Sequence, residues 1–233
     1  MEGLEKWQTA ISQNLANSST AGYKSVNVAL RSQLASASSG DFGSALSSEM
    51  VKSAANVDYS TGSFIQSDDP LSCAIEGDGF FQVQTADGQT KYTRNGQFRL
   101  DSNNRLVNGD GELVIGKSGT ISATPGGGDV SVRATGEVYQ GTVQIGALAV
   151  ASVANQESLV PAGGGYVVED GANAGVAEVD NPKVLQGVYE TSNVSAMREM
   201  VNMIVVSRAY EANQKSIMSQ DSSLGKAIQA FSA

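Results

Sequence analysis

Residues 196–231 read AMREMVNMIVVSRAYEANQKSIMSQDSSLGKAIQAF, and their periodicity sets the architecture of the whole chain. Met203, Tyr210, Ile217, Leu224 and Phe231 recur every seven residues, and Ala196 extends the series backwards. That spacing returns the apolar groups to one narrow stripe of a helix, the pattern that makes helices pack along each other. A helix over roughly 193–231, with no proline and Gly225 as its one glycine, would span about 60 Å at 1.5 Å per residue. Asn213, Gln214, Gln220 and Asp221 flank the stripe, so its middle is wet. An isolated coiled coil would not choose these residues, whereas a helix packed among many copies around an aqueous channel tolerates them.

At the other end, Leu4, Trp7, Ile11 and Leu15 form a second, shorter stripe at helical spacing. This predicts a helix over 4–18 that stops in the polar run Asn17-Ser-Ser-Thr-Ala-Gly22. Residues 25–66 are rich in Ser and Ala, bury little by themselves, and are expected to be extended, mobile or dependent on a partner. From Leu71 onward the texture is that of short strands. Leu71–Ile75, Phe80–Val83, Lys91–Arg94, Gln97–Leu100, Arg105–Val107, Leu113–Ile115, Val130–Val132, Val143–Val150 and Tyr166–Val168 are separated by Gly-rich turns. The turn signals are Gly77-Asp-Gly79, Asp87-Gly88, Asn95-Gly96 and Asn103-Asn104, and the Asp-Gly and Asn-Gly pairs among them supply the positive φ that tight hairpins demand.

The fold class predicted is mixed α and β. Terminal helices in 1–22 and 191–233 pair as a coiled-coil-like layer, 23–70 is a linker, and 71–190 is an inserted antiparallel β domain of sandwich or barrel type. The net charge of -9 is concentrated in that middle, because residues 1–24 are neutral and 191–233 carry only +1. An acidic body with neutral ends argues against nucleic-acid binding, which needs a basic face. Neutral ends also suit close self-packing. No apolar run is long enough for a transmembrane helix, and MEGLEKWQTAISQ lacks the pattern of a cleaved secretory signal. Cys73 is the single cysteine and reads as a small buried strand residue.

Little in the sequence points to catalysis. Histidine is absent, which removes Ser-His-Asp and Cys-His chemistry and the commonest metal ligand. With one cysteine as well, a structural zinc site is implausible, and no cofactor is implied. Gly111-Glu-Leu-Val-Ile-Gly-Lys117-Ser118 satisfies the phosphate-loop pattern, but its variable positions form a strand-like run and no helix signal follows. Asp101 to Glu112 has the length of a calcium loop, yet Leu106 stands where the sharp-turn glycine belongs and Arg105 occupies a ligand position. The pairs Glu76/Asp78 and Asp110/Glu112 lie in turns, where acidic residues are ordinary.

Three motifs carry a family resemblance. Asn14-Leu-Ala-Asn17-Ser-Ser-Thr-Ala-Gly22-Tyr-Lys24 resembles the N-terminal signature of bacterial flagellar rod and hook proteins. Gly187-Val-Tyr-Glu-Thr-Ser-Asn-Val194, with Glu199–Ile204 and Arg208–Glu211, resembles their C-terminal signature. Pro70–Phe81 and Tyr92–Gly96 are similar to the start of the family's β domain, except that Ser72-Cys73 replaces an acidic-apolar pair. The resemblance implies a non-enzymatic axial subunit whose terminal helices form the innermost layer of a tubular rod. It further implies a rod that crosses the periplasm, transmits torque and encloses an export channel. Its partners would be other copies, neighbouring rod proteins and the flagellar type III export apparatus, and export would need no cleaved signal. Family members carry a further turn or two of helix ahead of the equivalent of Leu4. Val114–Ile121 is similar to a segment of the proximal rod protein, which favours that member over a distal rod or hook-type subunit.

On this reading the assembly interface comprises Leu4, Trp7, Ile11, Asn14, Leu15 and Asn17 with Met203, Tyr210, Ile217, Leu224 and Phe231. Apolar residues at helical spacing most often face a domain's own core, and the flanking signatures are what favour assembly here. A β module on a helical stalk that binds cell wall is the alternative from another class.

Overall fold

The computed structural model describes residues 2–32, 51–169 and 173–231. Two helices frame it, α1 (Glu2–Ala16) and α2 (Ala196–Phe231). Between them run β1 (Val26–Ser32), β2 (Val51–Val57), β3 (Phe64–Gln66), β4 (Cys73–Ile75), β5 (Phe80–Gln84), β6 (Thr90–Thr93) and β7 (Arg99–Leu100). They continue as β8 (Leu106–Val107), β9 (Leu113–Gly116), β10 (Gly119–Thr120), β11 (Val130–Val132), β12 (Glu137–Gln140) and β13 (Val143–Ala147). The last are β14 (Val150–Val153), β15 (Leu159–Ala162), β16 (Gly165–Val168), β17 (Val176–Glu178), β18 (Val184–Gln186) and β19 (Val188–Glu190). The class is mixed α and β, with antiparallel strand pairing throughout the described sheets.

The described residues divide into two compact units. The first draws on Met1–Ala16, Val26–Asp58 and Val194–Ala233, the second on Asn17–Ser25 and Tyr59–Asn193. The sequence placed 23–70 in a linker. Of that stretch, β1 and β2 pair from Val26↔Val57 to Ser32↔Val51 and belong with the helices. Residues 23–25 and 59–70 belong with the strands, and 33–50 lie outside the described residues.

In the first unit, α1 packs on α2 and on the β1–β2 hairpin. Ala10, Ile11 and Asn14 are buried, with Leu4, Trp7 and Leu15 half-buried, so one face of α1 is covered at i, i+3, i+4 and i+7. On α2 the covered face comprises Glu199, Asn202, Met203, Val206, Ala209 and Tyr210. At 1.5 Å per residue the 15 residues of α1 reach about 22 Å and the 36 of α2 about 54 Å. That mismatch leaves the far half of α2 without a partner helix among the described residues. The described side chains from Glu211 to Gly225 are all exposed.

The second unit is organised around β5. It pairs with β6, β9 and β14, through Phe81↔Thr93, Val83↔Val114 and Val150↔Phe81. This makes β5 the centre of a ten-stranded sheet running β15-β16-β6-β5-β9-β8-β7, with β10, β14 and β17 attached. Strands β11-β12-β13 form a second sheet, and β18-β4 and β19-β3 are ribbons. One core joins them, holding Ile75, Phe81, Val83, Phe98, Val114, Val138, Leu148, Val150 and Val184. The predicted single strand Val143–Val150 is two. The chain leaves the three-stranded sheet after Ala147 and enters the ten-stranded one at Val150, so Leu148 turns into the core between them.

Turn chemistry follows expectation at Gly79 and Gly88, which have positive φ, and Gly77 and Asn104 have it as well. Gly96 does not. A Cβ there would overlap the Cys73 carbonyl oxygen, so this glycine admits the close approach that lets Cys73 N–H donate to the Gly96 carbonyl (2.8 Å).

Candidate functional site: a buried clasp and an open helix face

The polar run that ends α1 folds into a closed loop. The Asn14 amide Nδ2 donates to the Val26 carbonyl (2.9 Å), and the Val26 N–H donates to Asn14 Oδ1 (2.8 Å). One side chain thus satisfies both the backbone N–H and the C=O of a residue twelve positions away and pins the two ends of the loop together. Inside the loop, Thr20 N–H donates to the Asn17 carbonyl, and Gly22 adopts φ +68°. A Cβ on Gly22 would overlap the backbone of Arg94 and Asn95, so only glycine fits both the dihedral and the space.

That placement delivers Lys24 to a fully enclosed ionic cluster. Lys24 and Glu190 are both 0 % exposed, and Lys24 Nζ donates to Glu190 Oε1 and to the Ser60 carbonyl (2.7 Å). The same Oε1 accepts from Gly62 N–H (2.8 Å). Arg94 Nη1 stands 3.5 Å from Glu190 Oε2, ion-paired but outside hydrogen-bonding geometry, and its guanidinium lies over the Phe80 ring at 5.3 Å. Burial pulls the Arg94 pKa down, while the charges of Glu190 and Asp78 work against that shift. Breaking a buried pair of this kind leaves an uncompensated charge and costs about 3–5 kcal/mol.

Backbone bonds run through the same cluster. Gly22 N–H donates to the Glu190 carbonyl (2.8 Å), and Thr191 N–H to the Ser63 carbonyl (2.8 Å). Ser25 N–H donates to Asn193 Oδ1 (2.8 Å), while Asn193 Nδ2 donates to Ser60 at both its carbonyl and its hydroxyl. Tyr59 packs edge-on against Phe80 and Tyr166 alongside. The chain passes between its two units at 16/17, 25/26, 58/59 and 193/194. The segments next to the last three of these passages, 22–25, 60–63 and 190–193, are therefore tied to one another.

The three motifs that carry the resemblance converge here, with Lys24 from the N-terminal motif, Arg94 from the β-domain motif and Glu190 from the C-terminal motif. Lys24, Arg94, Glu190 and Asn193 were not singled out as site residues, because isolated Lys, Arg and Glu read as surface charges. Their signal was membership of the motifs.

The helix residues that were singled out fall elsewhere. Ile11 and Asn14 are buried on α1, where Leu4, Trp7 and Leu15 are half-buried; Asn17 is half-buried in the loop that follows. Met203 and Tyr210 are half-buried on the α1-facing side of α2, and Ile217 continues that side in the open, 47 % exposed. Leu224 and Phe231 lie on α2 with side chains outside the described residues. A second apolar face of α2 escaped the heptad count. Met197, Met200, Val201, Ile204 and Val205 lie on the side turned away from Val206 and are all exposed, Met197 at 72 % and Ile204 at 55 %.

The suspected chemical motifs resolve into structure. Gly111–Ser118 contributes β9 and the turn into β10, and Lys117 pairs with Glu178 at 3.4 Å. Asp101 caps its own turn by accepting from Asn103, Arg105 and the Arg105 side chain, while Glu112 is held by Lys91 and Asn108. Among the described residues no cluster of His, Cys, Asp or Glu is placed to hold a metal, and no helix is long and apolar enough to cross a membrane.

Residues 74–140 match the family described as flagellar hook protein FlgE/F/G D1 domain, and residues 185–230 match flagellar basal body rod FlgEFG protein C-terminal. The chain is 33% identical to the flagellar basal-body rod protein FlgF of Escherichia coli (strain K12), over 97% of this chain and 92% of that protein. It is 30% identical to FlgG of Agrobacterium fabrum, covering 94% and 92%, and 36% identical to FlgG of Buchnera aphidicola subsp. Schizaphis graminum, covering 73% and 69%. The chain belongs to the flagellar basal-body rod protein family.

Proposed function

We propose that this chain is a structural, non-enzymatic subunit of the flagellar basal-body rod that polymerises through its terminal helices. The observation that carries the reading is the pair of apolar faces on α2. One face is covered by α1, and the other, Met197-Met200-Val201-Ile204-Val205, is open. Soluble monomers leave a contiguous apolar face of this kind where another surface covers it. The bare far half of α2 supports the same reading, because isolated helices of that length are marginal in water. Identical faces from neighbouring copies would complete both, as a coiled-coil-like layer of helices.

On this reading the rod lies in the periplasm and surrounds an export channel, and the subunit is exported without a cleaved signal. Its partners are further copies, the adjoining rod proteins and the export apparatus. The proximal rod is favoured by the Val114–Ile121 segment; relatives named FlgF and FlgG both match over nearly the whole chain.

Ile204→Asp tests the assignment. The side chain is exposed, so the substitution changes monomer stability by about 0.5 kcal/mol or less. Incorporation into rods, read as motility of a complemented deletion strain, is lost. Full motility with this variant would overturn the proposal.

A further inference from the structure

We propose that the cluster around Glu190 is a latch that opens as one unit while the β core stays folded. Three features of the cluster lead there. Its bonds join segments far apart in sequence, Gly22–Ser25, Ser60–Ser63 and Glu190–Asn193, into a single closed set, and each segment loses bonds if either of the others leaves. None of those residues belongs to the apolar core, which is built from β4, β5, β8, β9, β11, β12, β14 and β18 together with adjoining loop residues. Opening therefore exposes Lys24, Glu190 and Arg94, which regain hydration, rather than Phe81 or Val150, which would lose burial. A region held by buried charge beside a region held by apolar packing has the makings of a separate cooperative unit.

The charge balance fixes which residue controls the latch. Two cations, Lys24 and Arg94, share the Glu190 carboxylate, and the charge of Asp78 acts on Arg94 as well. Removing Lys24 leaves the Arg94–Glu190 pair in place, whereas neutralising Glu190 takes the shared carboxylate away from both buried cations at once. Glu190 is thus the keystone and Lys24 the lesser partner. The consequence is that segments 22–25, 60–63 and 190–193 can separate while the sheet centred on β5 stays folded.

Amide hydrogen exchange on the full chain tests this. In the unmodified protein the amides of Gly22, Ser25, Gly62, Thr191 and Asn193 exchange with one common opening, faster than amides of β5 and β14. Glu190→Gln speeds all five by about 100-fold or more while the core amides hold. Lys24→Met speeds the same five at least tenfold less. Gly22→Ala touches no charge, yet it accelerates the same set, because its Cβ forces the loop off Arg94 and Asn95. Acceleration confined to each variant's own neighbours, or core amides rising in step with the five, would overturn the proposal. Should a variant fail to fold, the unmodified profile decides alone: five unrelated opening rates would sink the latch.

Discussion

Replacing Asn14 separates two roles that its sequence context leaves open. Placed in an assembly interface, Asn14 would matter only in the polymer. The structure instead buries it to 1 % exposure and sets both ends of its amide on the backbone N–H and C=O of Val26. Asn14→Ala strands one N–H and one C=O. Fully buried, each would cost about 1–3 kcal/mol, but Val26 is half-buried and water reaches part of the site, so the low end applies and the sum is about 2 kcal/mol. Asn14→Asp recovers nothing, since a carboxylate accepts from Val26 N–H but turns its second oxygen on the Val26 carbonyl. Both long helices lie in the first unit, so helical circular dichroism followed through denaturant reports its unfolding directly. The expected result is a midpoint lowered in both variants at unchanged slope. An unaltered monomer midpoint combined with lost motility would refute this account of Asn14 and return it to a subunit contact.

Gly96→Ala drives a Cβ into the Cys73 carbonyl and the Phe81 ring, and loses about 3 kcal/mol of stability or fails to fold; Gly109→Ala, which meets open space, stays near neutral on the same denaturation assay. Burial, reinforced by the Asp69 charge, pushes the Cys73 thiol up to about 12, so it resists thiol reagents at pH 8 in the native protein and reacts only on unfolding. Burial likewise pushes the Tyr59 hydroxyl up to about 12 and raises that of Tyr166. These groups ionise first in the unfolded chain, so between about pH 9 and pH 12 the native state holds more protons and stability falls as pH rises. A midpoint that is flat or rising over that range would contradict the burial of all three.

The helices were legible because their signal is periodic and local. The stripes at Leu4–Leu15 and Met203–Tyr210 mark the faces that meet in the first unit. The second face of α2 was not, since a seven-residue count follows one side and Met197, Val201, Ile204 and Val205 lie on the other. Strands with a buried centre, such as Phe80–Gln84, announced themselves, whereas β3 and β17 are exposed along their length and carry no alternation to read. Gly96 was read as a turn glycine because Asn-Gly pairs usually are, and its actual constraint comes from Cys73, a neighbour only in three dimensions. The clasp is the extreme case. Lys24 and Glu190 stand 166 residues apart, and nothing local tells a buried ion from a solvated one.

In the proposed rod, neighbouring copies cover the half of α2 that is bare in the single chain. Segment-resolved hydrogen exchange on the free monomer and on assembled rods measures this directly. The prediction is that residues 211–225 exchange rapidly in the monomer and become strongly protected in the rod, with β5 and β14 protected in both. Slow exchange of 211–225 in the monomer, or continued fast exchange in the rod, would contradict it.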